Sequence, residues 1–238
     1  MADSPTPDTT PVVLVHGWGG SFEATWQRSG FTELLADAGR PVVGIDLLGH
    51  GTAPKPHDPE AYADLGSRVL EQLDAQGITT PVDAIGFSLG AMTLLRLAAT
   101  VPHRFRRVVL AGVGRNVVEP DDGSGARIAD AVEGRGDAAD TPAQVFAQYA
   151  NQPGNDPVAL AAIMRRPRSH ITADDFSRAT CEILVVIGDK DFAGPGEPLV
   201  EALPNARLVT LRNVDHFATP EAFSFIDAAL EFLGAVPA

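Results

Sequence analysis

Apolar and polar positions along the chain fall into two kinds of segment that alternate. Short runs that are apolar at nearly every position, Val12 to Val15, Val42 to Asp46, Val82 to Ile85, Val108 to Ala111, Ile183 to Ile187 and Leu208 to Leu211, are rich in β-branched residues. A strand with apolar side chains on both faces has to be covered on both, as in a parallel sheet layered between helices. Between the runs lie longer amphipathic stretches: Phe31 to Ala38, Glu60 to Gln76, Leu89 to Thr100, Glu197 to Leu203 and Pro220 to Phe232. Each predicts a helix that carries the chain back over the sheet, and such crossovers are right-handed. The pattern therefore predicts an α/β fold built on a mostly parallel six-stranded sheet flanked by helices.

From Gly114 to about Ala179 this rhythm stops. The stretch is rich in Gly, Pro, Asp and Ala and has helix-like pieces but no strand-like run. Its predicted helices are Ala126 to Val132, Thr141 to Ala150, Pro157 to Arg165 and Ala173 to Ala179. Thr141-Pro142 and Asp156-Pro157 each place a capping side chain before a helix-opening proline. The spacing of Val145, Phe146 and Tyr149 gives one of these helices a face that packs, which favours a folded cap over a disordered linker. The predicted organisation is a core of residues 1–113 and 180–238 interrupted by a helical cap of residues 114–179.

Composition narrows the function. The chain has 238 residues, 45% of them hydrophobic, and a formal net charge of -13, enough for one large α/β domain with a sizeable core. So acidic a surface repels nucleic acid and anionic membrane, so neither is expected as a partner. No apolar stretch approaches the length of a membrane span. Residues 1–11 are polar and proline-rich, a loose leader without the basic region and apolar run of a secretory signal. The lone cysteine, Cys181, excludes an internal disulfide framework and opens an apolar run, so it reads as a packing residue. These features predict a cytoplasmic protein, a monomer or homodimer. Arg165-Arg166-Pro167-Arg168 reads as a solvated helix end.

The candidate chemistry begins at Gly86-Phe87-Ser88-Leu89-Gly90, which follows a predicted strand and precedes a predicted helix. A serine on so sharp a turn has strained backbone angles, and its neighbours two residues away must lack colliding side chains. The turn lifts the Ser88 hydroxyl above the sheet edge and directs the Leu89 amide to where a substrate oxyanion forms. His16-Gly17-Trp18-Gly19-Gly20 follows the first strand, and its glycines let the backbone turn so that the Trp18 amide becomes a second donor. If the first and third strands are neighbours, both loops meet at one site.

An acyl-transfer serine also needs a base and a group that orients the base. Chain order places the acid and then the histidine in loops after late strands. Asp191 in Gly188-Asp189-Lys190-Asp191 is the predicted orienting carboxylate, and His216 in Asn213-Val214-Asp215-His216-Phe217 the predicted base. Asp189 is the rival acid, and Asp215 is too close to His216 in sequence to bond its ring. His16 reads as a brace of the glycine loop. In Asp46-Leu47-Leu48-Gly49-His50-Gly51, Asp46 reads as a structural acceptor and His50 as a brace. His57, His103 and His170 read as solvated. No metal-ligand spacing, P-loop or dinucleotide fingerprint occurs, so neither a metal nor a cofactor is expected.

His16-Gly17-Trp18-Gly19, the Asp46 to Gly51 turn, the Gly86 to Gly90 elbow, Gly188-Asp189-Lys190-Asp191 and Asp215-His216 occur in the order of a known family. From about Pro11 to Leu233 the chain resembles the α/β-hydrolase fold serine hydrolases of the small, capped esterase and lactonase type. The resemblance implies strand order 2-1-3-4-5-6, a helical cap inserted after the fourth strand, and cofactor-free catalysis through an acyl-serine intermediate. The expected substrate is a small-molecule ester, small to medium and largely apolar. Trp18, Phe22, Phe87, Phe146, Tyr149, Met164 and Phe217 are expected to line its pocket. Serine at the elbow sets the chain apart from epoxide hydrolases and haloalkane dehalogenases, which need a carboxylate there. The antiparallel strands that usually open the fold are not evident, Leu48 stands where many relatives carry Arg or Pro, and Ala91 replaces a frequent glycine. The same triad also serves lactonases, thioesterases, carbon-carbon bond hydrolases and perhydrolases, and the same pocket a non-catalytic receptor or scaffold.

Overall fold

The computed structural model describes residues 8–119, 122–168 and 170–236; most of the predicted leader, residues 1–7, lies outside them. Six strands, β1 (Val12–Val15), β2 (Val42–Ile45), β3 (Val82–Phe87), β4 (Phe105–Ala111), β5 (Glu182–Gly188) and β6 (Ala206–Leu211), form one sheet in the order β2-β1-β3-β4-β5-β6. All pairings are parallel, and Val15 at the end of β1 lies opposite Gly86 in β3. The loops leaving these two strands therefore emerge side by side.

Period-two alternation divides the core into two layers. Val12 and Leu14 pack with Trp26, Phe31 and Phe225 on one face, while Val13 and Val15 pack with Leu94, Leu95 and Leu110 on the other. All residues of β1 and β3 are buried, whereas β6, at one edge of the sheet, is half-open to solvent. Before β4 the helices are α1 (Phe31–Asp37), α2 (Gly66–Ala75) and α3 (Leu89–Thr100). The insertion between β4 and β5 holds α4 (Arg115–Val118), α5 (Ser124–Val132), α6 (Thr141–Ala150), α7 (Pro157–Arg165) and α8 (Ala173–Arg178). After β5 come α9 (Glu197–Ala202) and α10 (Phe223–Leu233). Among the described residues no helix is long and apolar enough to cross a membrane.

Differences from the sequence reading have local causes. The helix predicted from Glu60 to Gln76 is two pieces, a 3-10 turn at Pro59–Tyr62 and then α2. Asp58 caps the first by accepting from the Glu60 amide, and Asp64 accepts from the amides of Gly66 and Ser67, restarting the chain as a new helix. Pro220 likewise opens a short 3-10 turn, and the last helix begins at Phe223. In α6 the capping side chain is Asp140 rather than Thr141.

The end of α7 is not a freely solvated tail. Arg165 pairs with Asp130 at 2.7 Å and Glu133 at 2.5 Å, tying α7 to α5. Arg166 is half-buried and donates to the Ile163 carbonyl, and burial, together with Arg168 and Arg96, pushes its guanidinium down to about 10. Cys181 is buried, which pushes its thiol up to about 11. At the amino-terminal ends of the strands, Asp83 is fully buried between Arg40 and Arg106, and Arg106 also binds Asp8 at 2.6 Å.

Candidate active site

Ser88 stands between β3 and α3 with φ 50° and ψ -110°, in a region that costs a non-glycine residue energy. The turn is possible because its flanking glycines have no side chains. A Cβ on Gly86 would sit 2.6 Å from the Ala91 nitrogen, and one on Gly90 would sit 2.4 Å from the Val15 carbonyl oxygen. The Ser88 amide donates to the Ala111 carbonyl at 2.8 Å, so β4 also holds the elbow. Ser88 is the N-cap residue of α3, and the helix's first amide, that of Leu89, lies next to the hydroxyl.

His216 approaches from the loop after β6. Its Nε2 is 3.0 Å from Ser88 Oγ, and its Nδ1 is 2.9 and 3.0 Å from the two Asp191 carboxylate oxygens. With Nδ1–H donating to the carboxylate, Nε2 is free to accept from the serine hydroxyl. Asp191 and His216 are both buried, and one Asp191 oxygen also accepts from the Ala193 amide at 2.9 Å. The histidine loop passes close to β5 because position 188 is glycine; a Cβ there would lie 2.0 Å from the Val214 carbonyl. Asp189 and Asp215 serve this loop rather than the imidazole. Asp189 accepts from the Asn213 amide at 2.7 Å, and Asp215 from the Ala218 amide at 3.0 Å.

On the other side of Ser88 lies the loop after β1. The ring of His16 is fully buried: Nδ1 donates to the Gly17 carbonyl at 2.7 Å, and Nε2 accepts from the Leu47 amide at 3.1 Å. Burial outweighs Gly17 and Asp46 and lowers its pKa, so His16 is a neutral brace joining the loops after β1 and β2. Burial pushes the Asp46 carboxyl up, but bonds from the Thr52 and Phe22 amides and the Thr52 hydroxyl outweigh it and hold the group below its ordinary value. His50 is also fully buried, with Nδ1 on the Leu48 carbonyl; burial first, then neighbouring His16, puts it well below the ordinary imidazole range. The Trp18 amide makes no hydrogen bond among the described residues. The same residues hold no group of three His, Cys, Asp or Glu side chains arranged for a metal ion.

Aromatic rings surround the imidazole. Phe87 lies 5.0 Å from His216, Phe192 4.3 Å and Phe217 5.5 Å, and Phe146 bridges Phe192, Phe217 and Trp18 at 5.6 to 5.8 Å. Tyr149 joins through Phe217 at 5.8 Å. Phe192 is 57% exposed and Phe217 40%, so this apolar rim faces solvent beside the serine. Of the seven residues expected to line a pocket, five belong to this cluster. Phe22 does not: its ring lies over Gly44 in β2, where a Cβ would be 2.4 Å away. Met164 lies at the far end of α7 beside Arg165, Arg166 and Arg168. Phe192 escaped sequence reasoning, although its place directly after Asp191 was the signal that it stands beside the histidine.

A family model described as "Alpha/beta hydrolase family" matches residues 12–226. A pimeloyl-[acyl-carrier protein] methyl ester esterase of Neisseria meningitidis is 30% identical, across 92% of this chain and 78% of its own length. Among solved structures, a thermophilic esterase from Thermogutta terrifontis superposes with a TM-score of 0.73 at 21% identity, covering 98% of this chain and 92% of the other. An enol-lactonase from Burkholderia xenovorans LB400 gives 0.69 at 23%, covering 97% and 94%. With the sheet order, the insertion after β4 and the Ser88, His216 and Asp191 contacts in agreement, the chain belongs to the alpha/beta hydrolase family as a carboxylesterase-like hydrolase.

Proposed function

We propose that the protein hydrolyses carboxylic esters of small to medium, largely apolar substrates, with Ser88 as nucleophile, His216 as general base and Asp191 as its orienting acid. The observation that carries this reading is the unbroken line of contacts from Asp191 through His216 to a serine held on a strained elbow. Ser88 Oγ attacks the acyl carbon while its proton passes to His216 Nε2, and the tetrahedral oxyanion is held by the amides of Leu89 and Trp18. Collapse expels the alcohol, which takes the proton from Nε2. Water then attacks the acyl-serine by the same route and releases the acid.

Residues 114–179 act in this reading as the cap that selects the substrate, with Phe146 and Tyr149 supplying its face of the rim. The Neisseria relative's name specifies a methyl ester of a pimeloyl group on a carrier protein. We extend to this chain the coarser part, an ester whose acyl portion is accepted by an apolar mouth. A cytoplasmic setting suits its single, buried thiol.

The test is intact-mass analysis after reaction with a fluorophosphonate, alongside turnover of p-nitrophenyl esters of increasing acyl length. One adduct is expected on the native chain and none on Ser88→Ala, whose turnover should fall by about a millionfold. A folded native chain that gains no adduct overturns the proposal.

A further inference from the structure

The loop after β1 is fastened to the helical insertion at several points. Asn155 Nδ2 donates to the Gly19 carbonyl at 2.9 Å and to the Tyr149 carbonyl at the end of α6 at 3.2 Å. Both hydrogens of one amide are thus used, one on the loop and one on the insertion. The Trp18 indole Nε1 donates to the Leu160 carbonyl of α7 at 3.1 Å, and the indole meets Phe146 edge-on at 5.6 Å. The Tyr149 ring lies so close over Gly19, whose φ is 73°, that a Cβ there would be 2.7 Å from it. Nearby, His57 Nε2 is 2.9 Å from Asp156, the capping residue of α7.

His16 Nδ1 and the Gly20 amide fix the Gly17 carbonyl at 2.7 and 3.1 Å, but the glycines at 19 and 20 leave the far side of the turn without side-chain restraint, so bonds from the insertion decide how that side is held. We infer that Asn155 is a positioning residue for the Trp18 amide, pinning the Gly19 carbonyl so that the insertion, and not the sheet alone, completes the oxyanion-binding loop. The inference rests on the proposed ester hydrolase reading. It predicts that a substitution touching neither Ser88, His216 nor Asp191 weakens the transition state more than the ground state.

Two variants separate donation from packing. Asn155→Ala removes the amide, and Asn155→Asp keeps its size and shape but replaces the donor with an acceptor facing a carbonyl. Both are expected to lower kcat on a p-nitrophenyl ester by about ten- to a hundredfold while KM changes far less, since losing an oxyanion donor outright costs more than displacing one. Affinity for a trifluoromethyl ketone, which forms the tetrahedral oxyanion on Ser88, should fall by a similar factor, with binding of the product acid unchanged. Hydrogen exchange at the Gly20 amide, which donates to the Gly17 carbonyl at 3.1 Å and closes the turn around Trp18 and Gly19, should quicken in both variants, a readout that needs no catalysis. Native kcat, native ketone affinity and native exchange in Asn155→Asp would overturn the inference. If the native chain gains no fluorophosphonate adduct, the hydrolase reading fails, and the exchange measurement alone still decides whether Asn155 holds the loop.

Discussion

The two ends of the sheet each bury an aspartate, and they satisfy it in opposite ways. At the amino-terminal end Asp83 sits between Arg40 and Arg106, and Arg40 also donates to the carbonyls of Thr10 and Leu233, so chain segments far apart in sequence converge on one carboxylate. Hydrogen bonding to Asp83 raises the Arg106 pKa above its ordinary value; Asp8, despite partial burial, is held well below the carboxylate range by Arg106 and Thr10. At the carboxyl-terminal end Asp191 has an imidazole and one backbone amide. Permanent countercharges lock the first site into a structural clamp, and removing Arg40 would leave Asp83 with Arg106 alone and the Thr10 and Leu233 carbonyls without their donor. The second site leaves room for the positive charge that forms when His216 takes the serine proton. The difference teaches where chemistry belongs: a fully compensated buried charge has nothing left to stabilise, while a partly compensated one can stabilise a charge that comes and goes.

The largest expected effect tests the second end. Asp191→Asn should keep the fold and the Ser88 hydroxyl but remove the acceptor that fixes the His216 tautomer, lowering kcat by about ten-thousandfold on the scale known for serine proteases. Steady-state kinetics together with a melting curve check it; activity within tenfold of native would return the acid role to Asp189. At the first end, Arg40→Met should destabilise the chain by about 1–3 kcal/mol in urea unfolding, since Asp83 keeps Arg106 while buried acceptors lose their donor, and should leave kcat of the folded protein unchanged. A variant that loses activity without losing stability would show that the two ends are coupled.

The smallest effect concerns the buried imidazoles beside the site. His16 and His50 are both shifted downward in the folded chain, chiefly by burial. Above about pH 6.5 each is neutral in both folded and unfolded states and costs nothing. Below that pH the unfolded chain takes up protons that the folded chain refuses, so stability falls with pH until the folded values are reached. Urea midpoints at pH 7.5, 6.5 and 5.5 should decline in that order, and His50→Gln should flatten the decline relative to its own value at pH 7.5. A parent chain whose midpoint is constant from pH 7.5 to 5.5 would mean that the two rings are protonated in the fold. Asp46, whose folded pKa is lowered, acts in a separate window: its contribution is complete above about pH 4 and is lost only as pH falls further.

Much of this architecture was legible along the chain because its causes are local. Apolar runs with β-branched residues specified where the strands lie, and proline after an aspartate specified where α7 begins. The glycines two residues either side of Ser88 announced the elbow, since only a side-chain-free residue tolerates backbone atoms at 2.4 to 2.6 Å. What lay beyond local reading was convergence. Asp189 and Asp191 differ by two positions on one loop, and only the path of the chain after β6 decides that the later one meets His216 while the earlier one holds the Asn213 amide. Phe22 has the composition of a pocket residue but turns to Gly44, whereas Phe192 gains its role from Phe146 and Phe217, which arrive from other elements. Asn155 is a polar residue in a loop until Gly19 comes within 2.9 Å of it. Sequence by itself determined the strands, the approximate place of the longer helices, the cap of α7 and the residue types of the chemistry, because these depend on neighbours a few positions away. Tertiary structure alone decided which acid, which rings and which amide stand together, because such contacts span 25 to 142 positions and depend on how every intervening loop runs.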